Sequence, residues 1–209
     1  MKRIAIIGSS ELGRQIAHHA RCNGYVVSGF FDDFQKDETV DGIPVFGTCD
    51  SVCSSYNQSL FDELICAIGY NHFDFRQYIY ERFMQEKIPF ATLVDKSCHI
   101  DSTAQIGNGS VLYPGVFIDK GVKIGDNVLV NLCSTISHDS SIGSHTFIAP
   151  RVAIAGFTQI GKRCMLGINS TVIDNVCVAD DVRLGGGGLI INNLDKSGLY
   201  VGVPARLIR

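Results

Sequence analysis

The sequence predicts an α/β domain with a small parallel sheet, followed by a parallel β-solenoid of six-residue repeats. An aliphatic residue recurs at every sixth position from Ile100 to Ile190, sixteen times without an insertion. The first ninety residues lack this period and alternate short apolar runs with helical patterns. A glycine also recurs every eighteen residues, which is one per three repeats, at Gly107, Gly125, Gly143 and Gly161.

The N-terminal domain is predicted to span residues 1–95. Strands are expected at residues 2–7, 26–31, 64–68 and 90–94, and helices at residues 11–22 and 73–86. Strands that alternate with helices favour a parallel sheet. The domain ends near Asp95, where the six-residue period begins.

The solenoid is predicted to span residues 96–209. A period of six fits neither an amphipathic helix nor an alternating strand, but it fits a coil with three flat sides. A large aliphatic residue and a small residue four positions later would fill the interior of each side. The spaced glycines predict a corner where the chain needs positive φ or close approach. Five coils at the strand spacing of about 4.8 Å would stand roughly 24 Å tall.

Composition excludes several classes of function. The net charge of −3 and pI near 6.0 leave no broad basic surface for nucleic acid. No segment approaches the ~20 apolar residues of a membrane span, and the apolar start is too short for a signal peptide. The eight cysteines show neither a C-x-x-C pair nor zinc-ligand spacing, which is typical of reduced thiols. We therefore expect a cytoplasmic protein without a metal site.

Three features of the N-terminal domain fall where parallel sheets bind ligands, beyond the carboxyl ends of the strands. They are the Gly8–Gly13 turn, the Asp32-Asp33 pair and Gly69. The turn matches neither the dinucleotide fingerprint nor a Walker loop, although its N–H groups could face a phosphate. The aspartates could accept hydrogen bonds from a ribose or a base. The alternative is that the glycines serve packing and the aspartates are a solvated strand end.

The solenoid offers chemistry at residues that its core does not need, above all His138 and Asp139. A histidine can take a proton near neutral pH, and a neighbouring carboxylate can fix its tautomer. Gly156 lies eighteen residues later, one coil along, where its N–H could polarise a carbonyl oxygen. Asn131 could orient the substrate or the histidine. The alternative is a corner histidine that only satisfies its own backbone.

At these residues the chain resembles the hexapeptide-repeat sugar acyltransferases that carry a Rossmann-like N-terminal domain. That family includes sialic acid O-acetyltransferases and N-acetyltransferases of nucleotide-linked 4-amino sugars. The resemblance implies a left-handed β-helix, an exception to the usual right-handed crossover. It is carried by Ile6-Ile7-Gly8, Phe31-Asp32-Asp33, residues 67–71, His138-Asp139, residues 166–170, residues 185–188 and residues 200–206.

The resemblance implies an acetyl-CoA-dependent N-acetyltransferase of bacterial surface glycan biosynthesis. Its substrate would be the 4-amino group of a UDP- or dTDP-linked 4-amino-4,6-dideoxy sugar. The protein would be a homotrimer with acetyl-CoA in a groove between subunits. His138 would be the general base, supported by Asp139 and Asn131. O-acetylation of sialic acid or another sugar is the alternative within the same family.

The resemblance also implies two sets of binding residues. The nucleotide sugar would be held by Gly8, Ser9, Asp32, Asp33 and Gly69. Acetyl-CoA would be held by His145, Gly156, Gly167, Asn169, Gly202, Pro204 and Arg206. The chain departs from close relatives at Glu11-Leu12, where they have Gly-His.

Two other classes of function remain open from the residues alone. A zinc enzyme on the same solenoid would need three converging histidines, and the solenoid offers only His138 and His145, with His99 at its start. A non-catalytic binding scaffold is the second alternative, because solenoids often serve as binding surfaces.

Overall fold

The N-terminal unit, residues 1–93, contains a three-stranded parallel sheet with β1 at its centre between β2 and β5. The computed structural model describes residues 2–208. None of the helices in this part of the chain is long and apolar enough to cross a membrane. The elements of the unit are β1 (Arg3–Ile7), α1 (Glu11–Cys22), β2 (Val26–Phe31), β3 (Thr39–Val40), β4 (Ile43–Pro44), α2 (Val52–Asn57), β5 (Glu63–Cys66) and α3 (Phe73–Gln85).

The central strand β1 is an unbroken apolar run because both of its faces are covered. Its residues from Ile4 to Ile7 are at most 1% exposed. Helix α1 buries Ile16, Ala17 and Ala20, which form one stripe on its surface. Burial of each large aliphatic side chain contributes about 1.5–3 kcal/mol.

Two parts of this unit differ from the sequence prediction. The strand expected at residues 90–94 does not join the N-terminal sheet as a strand. Phe90 forms a single bridge with Leu64, and Leu93–Val94 is a two-residue strand in a sheet of the solenoid. The β3–β4 hairpin was missed, although Asp41-Gly42 is a strong hairpin signal. Both residues have positive φ, at 49° and 72°, as a two-residue turn of this kind requires.

The solenoid unit, residues 94–209, is a left-handed parallel β-helix with three flat faces. The six-stranded face contains His99–Ile100, Phe117–Ile118, Thr135–Ile136, Ala153–Ile154, Thr171–Val172 and Leu189–Ile190. The five-stranded face contains Gln105–Ile106, Lys123–Ile124, Ser141–Ile142, Gln159–Ile160 and Cys177–Val178. The eight-stranded face contains Leu93–Val94, Val111–Leu112, Leu129–Val130, Phe147–Ile148, Met165–Leu166, Val182–Leu184, Gly198–Val201 and the antiparallel Arg206–Leu207.

Successive coils stack with a register of eighteen residues. Ile136 pairs with Ile118 on one side and with Ile154 on the other, so identical positions lie above one another. The repeat aliphatics therefore form columns inside the prism, and Ile118, Ile136 and Ile154 are each at most 1% exposed. This continuous core explains why the six-residue period was visible in the sequence.

The small residues that point inward join the coils through hydrogen bonds. The Ser140 hydroxyl donates to the Ala155 carbonyl at 3.0 Å and accepts from the Thr158 N–H at 3.1 Å. Ser134 and Thr146, six residues before and after Ser140, make the same pair of bonds to the next coil. A buried hydroxyl is tolerated here because both of its hydrogen-bonding roles are filled.

Positive φ falls three residues after each repeat aliphatic from Ile106 to Leu184, and most of these positions are not glycine. The glycines spaced by eighteen residues are not among them. A Cβ atom on Gly143 would lie 2.5 Å from the carbonyl carbon of Gly161 in the next coil. Of the two reasons that the sequence allowed for these glycines, close approach of the backbone is therefore the one that applies.

We expect Gly143→Ala to destabilise the solenoid by about 1–3 kcal/mol, the usual cost of overpacking against atoms that cannot move aside. The obstructing atoms are backbone atoms of the neighbouring coil. Thermal and urea unfolding measure the change. Gln105→Ala, on the exposed outer side of the five-stranded face, is the control and should stay within about 0.5 kcal/mol. An unchanged midpoint for Gly143→Ala would contradict the close-approach explanation.

Candidate active site

The polar residues of interest in the solenoid lie on its three corners. The first corner joins the six-stranded to the five-stranded face, the second joins the five-stranded to the eight-stranded face, and the third closes the coil. His138, Asp139 and Gly156 lie on the first corner, between strands of the six-stranded and five-stranded faces. His145 lies on the second corner, and Asn131 lies on the third.

The His138 ring is held at the surface of the first corner by Asp139. Its Nδ1 lies 3.1 Å from Asp139 Oδ2, and the two side chains are 47% and 45% exposed. Asp139 adopts a φ of 57°, a conformation that aspartate tolerates, and its N–H donates to the Lys120 carbonyl at 2.8 Å. A carboxylate can only accept, so His138 Nδ1 carries the hydrogen and Nε2 presents a lone pair.

The next coil supplies the floor beneath this ring. A Cβ atom placed on Gly156 would lie 2.7 Å from His138 Cε1 and 2.8 Å from Nε2, so only glycine leaves room for the ring. The Phe157 ring meets the imidazole edge-on, with centroids 5.0 Å apart. Among the hydrogen bonds of residues 2–208, none has the Gly156 N–H as donor. This N–H is therefore available beside an oriented imidazole.

Asn131 is not brought to His138 within one chain. It lies on the third corner, at the opposite end of the six-stranded face, and its Oδ1 accepts the Leu132 N–H at 2.8 Å. The seven residues that separate Asn131 from His138 in sequence span a whole face of the coil.

His145 is also remote from the first corner. It is buried on the second corner with a φ of 65°, and its Nδ1 lies 3.1 Å from Asn127 Nδ2 in the preceding coil. Arg163 and Asp181 continue the same column with an ion pair. His145 therefore helps to stack the coils. It lies on a different corner from His138, which the sequence did not predict.

The remaining residues of the predicted acetyl-CoA set lie at or near the third corner. Gly167 and Asn169 follow the strand Met165–Leu166 there. The segment from Gly202 to Ala205 runs beside Leu189, because the Leu189 N–H donates to Gly202 O and the Ala205 N–H donates to Leu189 O. Pro204 lies within this segment, and Arg206 is exposed just after it.

A cleft on the five-stranded face was not predicted. It has a volume of about 380 Å³ and crosses three successive coils at Ser141, Gln159 and Cys177; Leu194 and Asp195 also line it. Its first residue, Ser141, is only three residues from His138. Outward positions of the repeat carry no motif, so the sequence held no signal for this cleft.

The N-terminal unit contains a pocket of about 500 Å³ at the carboxyl ends of its strands. Gly8, Asp32, Asp33 and Gly69 line it together, so the structure brings four of the five predicted substrate residues into one cavity wall. Ser9 lies directly behind them and is 3% exposed. Ser10 of the Gly8–Gly13 turn and Ile68 also line it, and further lining residues that the sequence did not single out are Phe34, Cys49, His72 and Phe75.

Asp32 has no acceptor capacity left for a ligand. Its Oδ2 accepts the Ser9 N–H and hydroxyl at 2.8 and 2.7 Å, and its Oδ1 accepts the N–H groups of Phe34 and Gln35. Burial alone would raise the pKa of Asp32, but these donors together hold the pKa below its ordinary value of 3.8. Asp32 therefore orders the pocket rim, whereas Asp33 stays exposed and accepts the Cys49 N–H at 2.7 Å.

The buried cysteines are protonated at neutral pH. Burial raises the pKa of Cys164 to about 12, and burial together with the nearby Asp33 raises that of Cys49 to about 12. Burial also raises the pKa of Cys66. Thiols in this state are poor nucleophiles, so they are unsuited to carry an acyl group.

We expect iodoacetamide at pH 8 to modify the exposed Cys22 and Cys177 of the native protein and to spare Cys49, Cys66 and Cys164 until denaturant is added. Peptide mass spectrometry locates the modified residues. Labelling of Cys164 at the rate of Cys22 would show that its thiol ionises near pH 8.

Two family models match the chain, one for each unit. The model of the PglD N-terminal domain matches residues 3–83, and that of the GMPPB C-terminal domain matches residues 94–187. Within residues 2–208, no three His, Cys, Asp or Glu side chains come together as metal ligands.

Several proteins of similar sequence are UDP-3-O-acylglucosamine N-acyltransferases. The UDP-3-O-acylglucosamine N-acyltransferase of Bordetella pertussis is 37% identical over 103 residues, which are 47% of this chain and 28% of that protein. The chain therefore spans less than a third of the length of this relative.

Solved structures match the whole chain. PerB of Caulobacter crescentus, in complex with CoA and GDP-perosamine, is 27% identical with a TM-score of 0.92 over 100% of this chain and 98% of that one. The acetyltransferase domain of PglB from Neisseria gonorrhoeae has the same fold, with a TM-score of 0.90 at 24% identity over 100% of both chains. With both units matched in this order, the chain is similar over its whole length to hexapeptide-repeat sugar acetyltransferases that carry an N-terminal domain of the PglD type.

Proposed function

We propose that the protein is an acetyl-CoA-dependent N-acetyltransferase that acts on the 4-amino group of a nucleotide-linked 4-amino-4,6-dideoxy sugar. The observation that carries the proposal is the first corner, where an exposed imidazole is oriented by Asp139 and seated on Gly156. The relatives support the chemical class, because PerB was crystallised with CoA and GDP-perosamine. A histidine-to-alanine mutant of the perosamine N-acetyltransferase was crystallised with the same two ligands.

In this proposal His138 acts as general base through Nε2. Asp139 holds the Nδ1 hydrogen, so Nε2 is the nitrogen that accepts the proton from the sugar amine during attack. The Gly156 N–H lies beside the ring and stabilises the negative charge that grows on the carbonyl oxygen. Acetyl-CoA supplies the acyl group as a thioester. Transfer is direct in this proposal: the sugar nitrogen bonds to the acetyl carbon, the carbon–sulfur bond breaks, and CoA leaves as the thiol with the proton that His138 has taken. The buried thiol of Cys164 stays protonated and is unsuited to carry the acyl group.

The residue positions favour a site that is completed by a second subunit. The first and third corners border the same six-stranded face. The outward residues of its strands include no Asp, Glu, Lys or Arg; they are His99, Phe117, Thr135, Ala153, Thr171 and Leu189. Phe117 is 42% exposed and stacks on His99, so this face presents apolar surface. Three copies closed around this face would bring the third corner of one subunit to the first corner of its neighbour. Asn131, Gly167, Asn169 and Gly202 would then serve the neighbour's histidine.

A homotrimer is therefore part of the proposal, and we expect Thr135→Lys to disrupt it. A lysine at the centre of the buried face would place unpaired charge in the interface. Sedimentation velocity and activity are measured on the same samples, with Gln105→Lys on the five-stranded face as control. A fully active monomer would contradict the shared site.

The reaction itself is tested by following CoA release with a thiol reagent. UDP-, dTDP- and GDP-linked 4-amino sugars are offered beside free sialic acid, each with acetyl-CoA. Turnover with one nucleotide amino sugar, and an acetamido product by mass spectrometry, are the expected results. Turnover with sialic acid alone would replace the proposal with O-acetylation, and no turnover with any acceptor would remove it.

A further inference from the structure

The N-terminal unit contains a buried cation for which the proposed chemistry has no use. Arg76 on α3 is 1% exposed and is the largest fully buried side chain of the described residues. Its Nη1 donates to the carbonyl oxygen of Cys66 at 2.9 Å and to that of Ile68 at 2.8 Å. A guanidinium is costly to bury, so its bonds to this short segment at the end of β5 call for an explanation.

The two bonds determine the direction of a third group. In a trans peptide the C=O and the following N–H point in opposite directions, and the Ile68–Gly69 bond is trans. Because the Ile68 carbonyl faces Arg76, the Gly69 N–H faces away from it. Gly69 lines the pocket, and among residues 2–208 no acceptor receives its N–H. An unfilled backbone donor therefore projects from the segment that Arg76 holds.

The surroundings of this donor suit an anionic oxygen. Helices α1 and α3 begin beside the pocket, where Ser10 and His72 line it. The positive ends of two helix dipoles and a buried guanidinium act on this side of the cavity, and the carboxylates of Asp32 and Asp33 line the side that follows β2. A diphosphate is the part of a nucleotide sugar that carries such oxygens.

We propose that the Gly69 N–H binds a phosphate oxygen of the nucleotide sugar and that Arg76 is the positioning residue that holds this donor in place. The inference rests on the proposed function for the identity of the ligand. Arg76 does not touch the substrate, and it acts through the Ile68–Gly69 peptide. Its substitution should weaken nucleotide binding and leave the acetyl-CoA site, which lies on the other unit, unaffected.

The test compares Arg76→Lys, Gly69→Pro and their double variant. Lysine keeps the charge but loses the guanidinium geometry, and proline removes the N–H. Each single variant should raise the KM for the nucleotide sugar about 10- to 100-fold, the range for losing a hydrogen bond to a charged group, with the KM for acetyl-CoA unchanged. The KM of the double variant for the nucleotide sugar should be no higher than that of the more affected single variant, because both changes remove the same contact.

Two further variants serve as controls, one for the Gly69 N–H and one for the arginine substitution. Gly69→Ala retains the N–H, and its Cβ would meet no atom within 4 Å, so the difference between alanine and proline isolates the donor. Arg82→Lys makes the same substitution at a more exposed guanidinium on α3 and should leave both KM values unchanged. If Arg76→Lys does not fold, the alanine and proline variants still decide whether the donor binds.

Direct binding separates this inference from the proposed function. Calorimetry with UDP, dTDP and GDP measures the dissociation constant of each variant without catalysis. If the wild-type protein binds a nucleotide but acetylates no sugar, the proposed function fails and the binding data still judge the donor. Multiplicative losses in the double variant, equal affinity for Gly69→Ala and Gly69→Pro, or no binding of any nucleotide would overturn the inference.

Discussion

His138→Ala should lower kcat by about 10²–10⁴-fold, the range that general-base catalysis contributes. The variant keeps Asp139 and Gly156 in place but has no nitrogen to accept the proton of the sugar amine. Acetyl-CoA binding should be retained, because the proposed acyl-donor contacts come from the backbone and from other residues. Steady-state rates give kcat, and calorimetry with acetyl-CoA gives the dissociation constant.

The matched control is His18→Ala, at an exposed histidine on α1. Its rate should equal that of the wild-type protein. Near-full activity of His138→Ala at neutral pH would show that another group takes the proton. A loss of acetyl-CoA binding that matches the loss of rate would instead assign His138 to binding.

Gly156→Ala should reduce kcat by about 10²-fold or more, because a displaced catalytic group loses much of its effect. The added Cβ would overlap the Cε1 and Nε2 atoms of His138, which therefore has to leave its position against Asp139. The imidazole is a surface side chain and can rotate outward. The expected result is a folded protein with normal unfolding temperature and little activity.

Gly143→Ala provides the informative contrast to this variant. Both substitutions add one methyl group to a closely packed glycine of the solenoid, but at Gly143 the obstructing atoms are backbone. One variant should lose activity with its stability intact, and the other should lose stability. Equal loss of stability in both would mean that the ring at Gly156 is no freer to move than the backbone at Gly143.

The solenoid was predictable from the sequence because its core repeats. Ile118, Ile136 and Ile154 occupy the same position in three successive coils. The requirement for a buried aliphatic residue on every side therefore recurs along the sequence with a constant period. The helices of the N-terminal unit were predictable for a similar reason, and helix α1 begins and ends at the expected residues. The short β3–β4 hairpin was missed because its strands have two residues each and carry almost no pattern.

The site was less predictable because sequence distance misleads on a coil. Gly156 lies eighteen residues from His138 and touches its ring, whereas Asn131 lies seven residues away on another corner. His145 is as near in sequence but is buried in the column with Asn127. Asp32 looked like a ligand contact, and only the hydrogen bonds show that its own loop occupies both oxygens. The contribution of Arg76 had no signal in the sequence.

The eighteen-residue register also limits how such a protein can change in length. A single residue inserted within a strand would exchange the inward and outward positions of that strand and break its eighteen-residue pairing with the neighbouring coils. A whole coil can be added or removed on the C-terminal side of the coil that contains Ile154 and Gly156 without shifting His138 relative to Gly156. Duplication of complete coils therefore offers a route by which the length of the prism can evolve in steps while His138 and Gly156 stay in contact.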